Sequence, residues 1–472
     1  MELAPSLPPL VQAWEEELFN HPWALPQMRE LASGPFHVLY PTQLRTNLRD
    51  FATTAQDMNV DCTVFFARKA NKAECWMQEI AAADQGVDVA SGPELVGALA
   101  GGIRGTKLVI TGAEKADNLL WLGIRHGCTI AADSPGELQR ILDITRRETS
   151  AHHTDGHTRV LLRILPAEQT ESRFGCTPQE WSACISGLPE LRKHVDIVGS
   201  CFHLNGYSSE HRGKEAHRSL DFMRELRRKG WRADTLDIGG GFSVRYSADA
   251  DWEAFQPTLT DASAFHAGRT PSASYPYGGE KATGPEMLRA ILNTPTKKVD
   301  GHTLAERLRT EGVKLALEPG RALLTGCGLT VFPVQGVKSA EAERKSPDLN
   351  PQENSHYRYK ILTAAGLSMS LSEQWKSSEF LPDPTLWPQR EGTPTRACVG
   401  GSSCMEYDML TWRTIGFPRA PKRGDLLIYH NTAGYQMDKN ESSFHQLPLP
   451  SRFVWDSSVR TIRHDHPLHV EL

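Results

Sequence analysis

The sequence predicts an α/β chain in which a closed (β/α)8 barrel is joined to a second, mostly β domain. Short β-branched or apolar runs alternate with longer helical stretches from Cys62 to Arg321, the runs number eight, and the alternation stops after Arg321. Eight βα units over about 260 residues match the usual size of such a barrel; an open doubly wound sheet is the competing topology.

The runs are Cys62–Lys69, Gly86–Ser91, Lys107–Gly112, Thr129–Ser134, Arg159–Leu165, Ile197–Leu204, Thr235–Gly241 and Lys314–Arg321. Helix starts lie between them, as at Ser134-Pro135-Gly136-Glu137, where a capping serine precedes proline and a glutamate placed to reach back to its amide. Nearly every run ends in a reactive or glycine-rich group: Lys69, Asp88, Asp133, Arg163, His203, Gly239-Gly240-Gly241, then Glu318 with Arg321. Closure of a barrel brings those carboxyl ends to one rim, where a site can be built over a packed interior. Beyond Arg321, the strand-like pieces Leu329–Val337, Tyr357–Thr363 and Asp425–Tyr429 lie among prolines and glycines, the texture of a β domain. Pro35–Tyr40 also reads as a strand, so that domain is expected to draw on both ends of the chain. Tyr246–Lys298, poor in apolar periodicity, reads as a long insertion between the seventh and eighth units. The expected boundaries are an N-terminal segment at 1–44, the barrel at 45–325 and the β domain at 326–472.

The 472 residues are 39 % hydrophobic and 23 % charged, with a net charge of −5, ordinary values for a soluble globular protein. That balance argues against a nucleic-acid or anionic-membrane binder. Nine cysteines without a C-x-x-C pair fit neither a zinc site nor a secreted disulfide scaffold and point to a reducing cytoplasm. The first twenty residues include Glu15 to Glu17 and no basic-then-apolar leader, and no stretch approaches ~20 uninterrupted apolar residues, so neither export nor a membrane span is expected. His152, His153 and His157, with Asp155 among them, read as a polar surface loop, and no metal is expected. His211, His217 and the Arg224–Arg232 charge run read as a solvated helix face. Trp375 and Trp412 follow predicted strands and are candidates to line a pocket.

A lysine ending an apolar strand is costly unless its charge is paired, exposed or removed by reaction. Three consecutive glycines let backbone amides approach an anion closely. They are not the G-x-G-x-x-G of a dinucleotide site. Lys69 as nucleophile, Gly239, Gly240 and Gly241 as a phosphate cradle, Arg321 as added positive charge and Glu318 as a strand-end carboxylate are together what pyridoxal phosphate requires of a protein.

Matching motifs then occur in order from Pro35 to about Tyr435: Phe66-Ala67-Arg68-Lys69-Ala70-Asn71, Gly86-Val87-Asp88-Val89-Ala90-Ser91, Arg173-Phe174-Gly175, Cys201-Phe202-His203, Asp237-Ile238-Gly239-Gly240-Gly241-Phe242, Glu318-Pro319-Gly320-Arg321, Cys404 with Asp408, and Gly434-Tyr435. In these the chain resembles the ornithine, arginine and diaminopimelate decarboxylase family, pyridoxal-phosphate enzymes that share a barrel plus β domain with alanine racemase. The resemblance implies that Lys69 holds the cofactor as a Schiff base and that His203 stacks on its ring. Gly239–Gly241, Gly320, Arg321 and Tyr435 would bind the phosphate, Glu318 would pair with the pyridine nitrogen, and Asp88 and Arg163 would line the pocket. It also implies a homodimer with active sites at the interface, in which Cys404 of the second subunit returns a proton to the α-carbon. The implied reaction is decarboxylation of an amino acid through a lysine aldimine and a quinonoid intermediate. A carboxylate at 318, where alanine racemases place an arginine, and a single proton donor favour decarboxylation over racemisation. A racemase or aldolase on the same cofactor and a non-catalytic homologue are the alternatives.

The chain departs from the family in places. Met405 stands where the residue after the cysteine is usually acidic, with Glu406 one position on; Met405, Glu406 and Asp408 are the candidate substrate-binding residues. Ala364-Ala365-Gly366-Leu367 replaces the family's aspartate before A-G, and the arginine-proline signature used for a distal carboxylate is missing, which argues against meso-diaminopimelate. Asn205-Gly206 replaces the glycine-serine expected after His203. The expected substrate is a modified or conjugated amino acid of the kind met in siderophore or other specialised pathways.

Overall fold

The computed structural model describes residues 6–152, 156–271, 275–296, 301–343, 356–369, 380–439 and 442–465, in two compact units. One comprises Leu44–Ser243 and Ala282–Leu323; the other comprises Met1–Gln43, Val244–Lys281 and Leu324–His466.

The first unit is a closed parallel barrel of β2 (Cys62–Ala67), β3 (Gly86–Val89), β4 (Leu108–Ile110), β5 (Thr129–Ala132), β6 (Thr158–Arg163), β7 (Val195–Cys201), β8 (Thr235–Asp237) and β9 (Lys314–Leu317). β9 pairs back onto β2, Leu315 opposite Cys62, which leaves no sheet edge. All eight runs read from the sequence become these strands. Each strand stops two to four residues before the end of its run, because the polar and glycine ends leave the ladder as rim loops. Val109, Ala131, Leu161, Val198 and Cys201 form one buried cluster among the strands, with Phe65 against it. Full burial of such side chains stabilises by roughly 1.5–3 kcal/mol each. Surrounding helices start where their caps put them. Thr177 and Thr303 form reciprocal capping boxes with Glu180 and Glu306, and Ser134 Oγ accepts the Glu137 amide at 3.1 Å. Glu137 itself reaches past the serine, to the amides of Asp133 (2.8 Å) and Lys115 (2.6 Å).

The second unit is built on β1 (Phe36–Leu39), which lies between β10 (Gly328–Glu343, antiparallel) and β16 (Ser451–Asp456, parallel). The strand order is β14-β13-β11-β10-β1-β16-β17, with β11 His356–Ala364, β13 Thr395–Gly400, β14 Met409–Phe417 and β17 Thr461–His464. β15 (Leu426–Tyr429) also pairs with β10, and β12 (Thr385–Trp387) with β15. Phe36, Val38, Leu329, Val331, Ile428, Phe453 and Trp455 pack there with Trp14, Leu18 and Met28 of the N-terminal helices. A buried pair, Glu15 Oε2 to His430 Nδ1 at 3.1 Å, ties the first helix to the residue after β15.

Val244–Lys281 differs from the expected continuous barrel at 45–325, since it groups with the sheet unit. Its buried rings, Tyr246, Trp252, Phe255, Phe265 and Tyr277, recur with neither a helical nor a strand period, so the sequence offers no pattern to place them. Tyr246 meets Phe380 edge-on at 5.5 Å, Phe265 bridges Arg413 of β14, and the Arg413 guanidinium lies 4.7 Å over the Phe255 ring. The expected solvated face at His217 is also corrected. His217 is buried, with Nε2 2.9 Å from the Thr294 carbonyl and Nδ1 3.3 Å from Arg307 Nη1, because Thr294 and Arg307 lie over that side of the helix.

Candidate active site

The carboxyl ends of the barrel strands carry the predicted residues. Lys69 is exposed in a tight 3-10 turn, Arg68–Ala70, directly after β2, and its Nζ is 3.2 Å from Oδ2 of Asp88 on neighbouring β3. Asp88 is buried, and its other oxygen accepts the Thr111 hydroxyl at 2.5 Å. A reachable strand-end amine is thus steadied by one fixed carboxylate.

Glu318 follows β9 and is fully buried; among the described residues no nitrogen or hydroxyl donor hydrogen-bonds its carboxylate oxygens, and its hydrogen-bond partner is the neighbouring Asp237 carboxyl. His203, just beyond β7, brings Nε2 to 2.9 Å from Oε2 without the alignment of a hydrogen bond. Burial, reinforced by Asp88 and opposed by Lys69, pushes the Glu318 carboxyl up to about 7. Burial first, then Lys69 and Arg163, pushes the His203 imidazole down to about 3, so its ring is neutral. Asp237, at the end of β8, is likewise fully buried; burial and the neighbouring Glu318 raise it well above the carboxylate range. Two adjacent buried carboxyl groups do not both ionise, and Asp237 keeps its proton while its Oδ1 accepts the Gly239 amide at 2.8 Å.

Packing dictates the glycine turn. Gly239 and Gly241 sit at φ +68° and +80°, where a side chain is strained, and a Cβ on Gly240 would lie 2.5 Å from the Glu318 carbonyl oxygen. The Glu318 amide in turn donates to the Gly239 carbonyl at 2.9 Å, which locks turn and carboxylate together. Gly320 is buried and Arg321 half-buried in the turn that follows. Arg163, at the end of β6, pairs with Asp133 at 3.1 Å and stacks on Phe174 at 4.3 Å, and Gly175 donates to the same Asp133 oxygen.

Cys404, Met405, Glu406, Asp408 and Tyr435 belong to the sheet unit. Cys404 is the exposed member of the nine free cysteines, and the His445 ring nitrogen Nε2 lies 3.3 Å from its sulfur. Met405 is half-buried and Glu406 exposed. The Asp408 carboxylate accepts the amides of Ser368 (2.8 Å) and Ser403 (3.1 Å). Tyr435 is half-buried, with φ +75°, ahead of a short helix, Gln436–Lys439. Trp412 packs with His266, rings 6.1 Å apart; Trp375, His153 and Asp155 lie outside the described residues. Among the described residues no group of three or more His, Cys, Asp or Glu is placed to hold a metal, and no helix is long and apolar enough to cross a membrane.

Two barrel residues that sequence reasoning passed over stand beside the turn: Asp237, quoted only within a motif, and Arg212. Arg212 lies in the helix Ser209–Arg228 and is fully buried, with its guanidinium on the carbonyls of Ile238 (3.1 Å), Gly206 (3.4 Å) and Gly241 (3.5 Å). Its surroundings in sequence, Glu210-His211-Arg212-Gly213-Lys214, carry no signal that separates it from its solvated neighbours.

Comparisons with known proteins place the chain in a family. The family described as the pyridoxal-dependent decarboxylase, pyridoxal binding domain, matches residues 43–268. The uncharacterized protein y4yA of Sinorhizobium fredii is 34 % identical over 425 residues, 89 % of this chain and 87 % of that one. The diaminopimelate decarboxylase of Bacillus methanolicus is 22 % identical over 435 residues, 88 % and 87 % of the two chains. Among solved structures, diaminopimelate decarboxylase from Helicobacter pylori complexed with L-lysine shares the fold, with a TM-score of 0.70 at 15 % identity over 94 % of this chain and 96 % of that one. The chain belongs to the pyridoxal-phosphate-dependent amino-acid decarboxylases. The residues present fit that cofactor: the buried Glu318 carboxylate, which has no nitrogen donor hydrogen-bonded to it among the described residues, suits the N–H of a protonated pyridine ring, and the side-chain-free turn suits a phosphate.

Proposed function

We propose that this enzyme decarboxylates an amino acid whose distal end is modified or conjugated, and that it works as a homodimer in the cytoplasm. Glu318 carries the reading: a carboxylate at a barrel rim, fully buried beside a protonated Asp237 and with no nitrogen donor hydrogen-bonded to it among the described residues, suits a cationic N–H in front of it. When bound, pyridoxal phosphate supplies an aldehyde that condenses with amines and a ring that accepts the electron pair left by carbon dioxide.

The chain's own residues do the rest. Lys69 would provide the amine that anchors the cofactor, and Asp88 keeps that Nζ beside the strand end. Glu318 accepts the ring N–H and keeps the ring protonated. The neutral His203 offers a flat face that adds no second positive charge to the ring. Gly239–Gly241, Gly320 and Arg321 would hold the phosphate. Cys404 of the second subunit would return a proton to the α-carbon, and Met405 in place of an acidic neighbour leaves the substrate's distal end without a fixed carboxylate. The missing arginine-proline signature argues in the same direction, against a free distal carboxylate.

The experiment is a substrate panel: lysine, ornithine, arginine and meso-diaminopimelate against side-chain-acylated and otherwise conjugated analogues, with carbon dioxide and amine both measured. Conjugated substrates are expected to turn over faster than the free diamino acids. Preference for meso-diaminopimelate would overturn the substrate class, and racemised substrate without carbon dioxide would overturn the reaction. Lys69→Ala is expected to abolish both turnover and the visible absorbance band of the bound cofactor.

A further inference from the structure

Arg212 is a buried cation without a counter-ion. Its side chain is fully enclosed, its three hydrogen bonds go to backbone carbonyls, and Nε has no partner. Among the described residues no carboxylate pairs with it; Tyr207 is the ionisable neighbour whose charge it feels. Other buried arginines of the molecule are paired: Arg163 with Asp133, Arg307 with Asp221 and Glu311, Arg413 with Asp383, Arg419 with Asp425. A guanidinium taken out of water in this way is costly unless an anion comes to it.

The carbonyls it holds say where that anion belongs. Ile238 and Gly241 bracket the glycine turn, and Gly206 lies in the loop after His203, so one side chain ties the two rim loops together. A Cβ on Gly241 would lie 2.6 Å from Arg212 Nη2, so the turn rests directly on the guanidinium. Gly206 belongs to the Asn205-Gly206 pair that stands where the resembled family has glycine-serine.

We propose that Arg212 is the buried counter-charge for the phosphate of the bound cofactor, a positioning residue that clamps the Gly206 and Gly239–Gly241 turns from behind while its charge offsets the dianion. The phosphate in turn relieves the unpaired cation, so cofactor binding and the order of the two turns are coupled. This rests on the reading of Gly239–Gly241 as the phosphate cradle.

The test compares pyridoxal phosphate with pyridoxal, which has the same aldehyde and ring and lacks the phosphate. Each is titrated into the full-length chain stripped of cofactor, followed by the visible absorbance of the bound form. Arg212→Gln is expected to weaken pyridoxal phosphate by about tenfold or more and pyridoxal by less than about twofold, with Arg212→Lys recovering part of the loss. Equal weakening of both ligands would reduce Arg212 to a structural brace and overturn the inference, as would no weakening of either. If Arg212→Gln fails to fold, Arg212→Lys carries the same comparison: a loss confined to the phosphorylated ligand supports the inference, and any other pattern overturns it. Gly240→Ala separates the two ideas. If it leaves pyridoxal phosphate affinity intact, the cradle reading falls; if it weakens that affinity while Arg212→Gln does not, Arg212 alone is wrong.

Discussion

At the scale of single residues, Glu318 couples the site to pH. A glutamate titrates near 4.5 in the unfolded chain and at about 7 in the cofactor-free fold, so the native state binds its proton more tightly. Stability from this group therefore falls as pH rises from about 4.5 to 7 and is level above. Glu318→Gln removes the buried charge; it is expected to stabilise the cofactor-free chain by ~1–3 kcal/mol at pH 8 and to change little at pH 4. Melting curves at both pH values decide this, and an equal effect at the two would assign the titration elsewhere. Cys404 is expected to be the cysteine alkylated fastest by iodoacetamide, as peptide mapping would show. It alone is exposed and touches an imidazole, while burial raises the thiols of Cys62, Cys128, Cys176, Cys184, Cys201 and Cys327. Lys69, Glu318 and the glycines were legible because strand-end position and residue type coincide. Arg212 was not, because its burial depends on which way a long polar helix turns, and one arginine among several says nothing of that.

Among the elements, the barrel strands were the most legible, since each is a short apolar run ended by a polar or glycine group. The turns at their ends are the vulnerable parts. Gly240→Ala forces a methyl into the Glu318 carbonyl and is expected to cost ~1–3 kcal/mol of stability together with cofactor affinity, measurable by denaturant unfolding and cofactor titration. The Cys404 loop is held differently, by the Asp408 carboxylate on two backbone amides. Asp408→Ala leaves both without an acceptor and is expected to cost ~1–3 kcal/mol for each amide that stays buried, with faster hydrogen exchange confined to the segment around 368 and 401–409. Val244–Lys281 shows the limit of periodicity: its aromatic residues are spaced by the contacts they make with β14 and its neighbours, which no local pattern encodes.

On the scale of the whole molecule, the chain enters the sheet unit three times and the barrel twice. A chain cut to 45–325, which sequence boundaries would suggest as a free-standing barrel, carries Val244–Lys281 without the strands that cover its rings. It is expected to aggregate, whereas replacing 244–281 with a short polar linker should restore solubility; size-exclusion profiles of the two would tell. The same path sets an order on synthesis. His37 of β1 meets Thr330 293 positions later, and Glu15 meets His430 415 positions later. At ~5–20 residues per second the first strand leaves the ribosome tens of seconds before its neighbours exist, so an apolar N-terminus must wait while the barrel is made. In nascent chains of this protein that segment is therefore expected to need shelter until the strands around 330 and 430 have emerged.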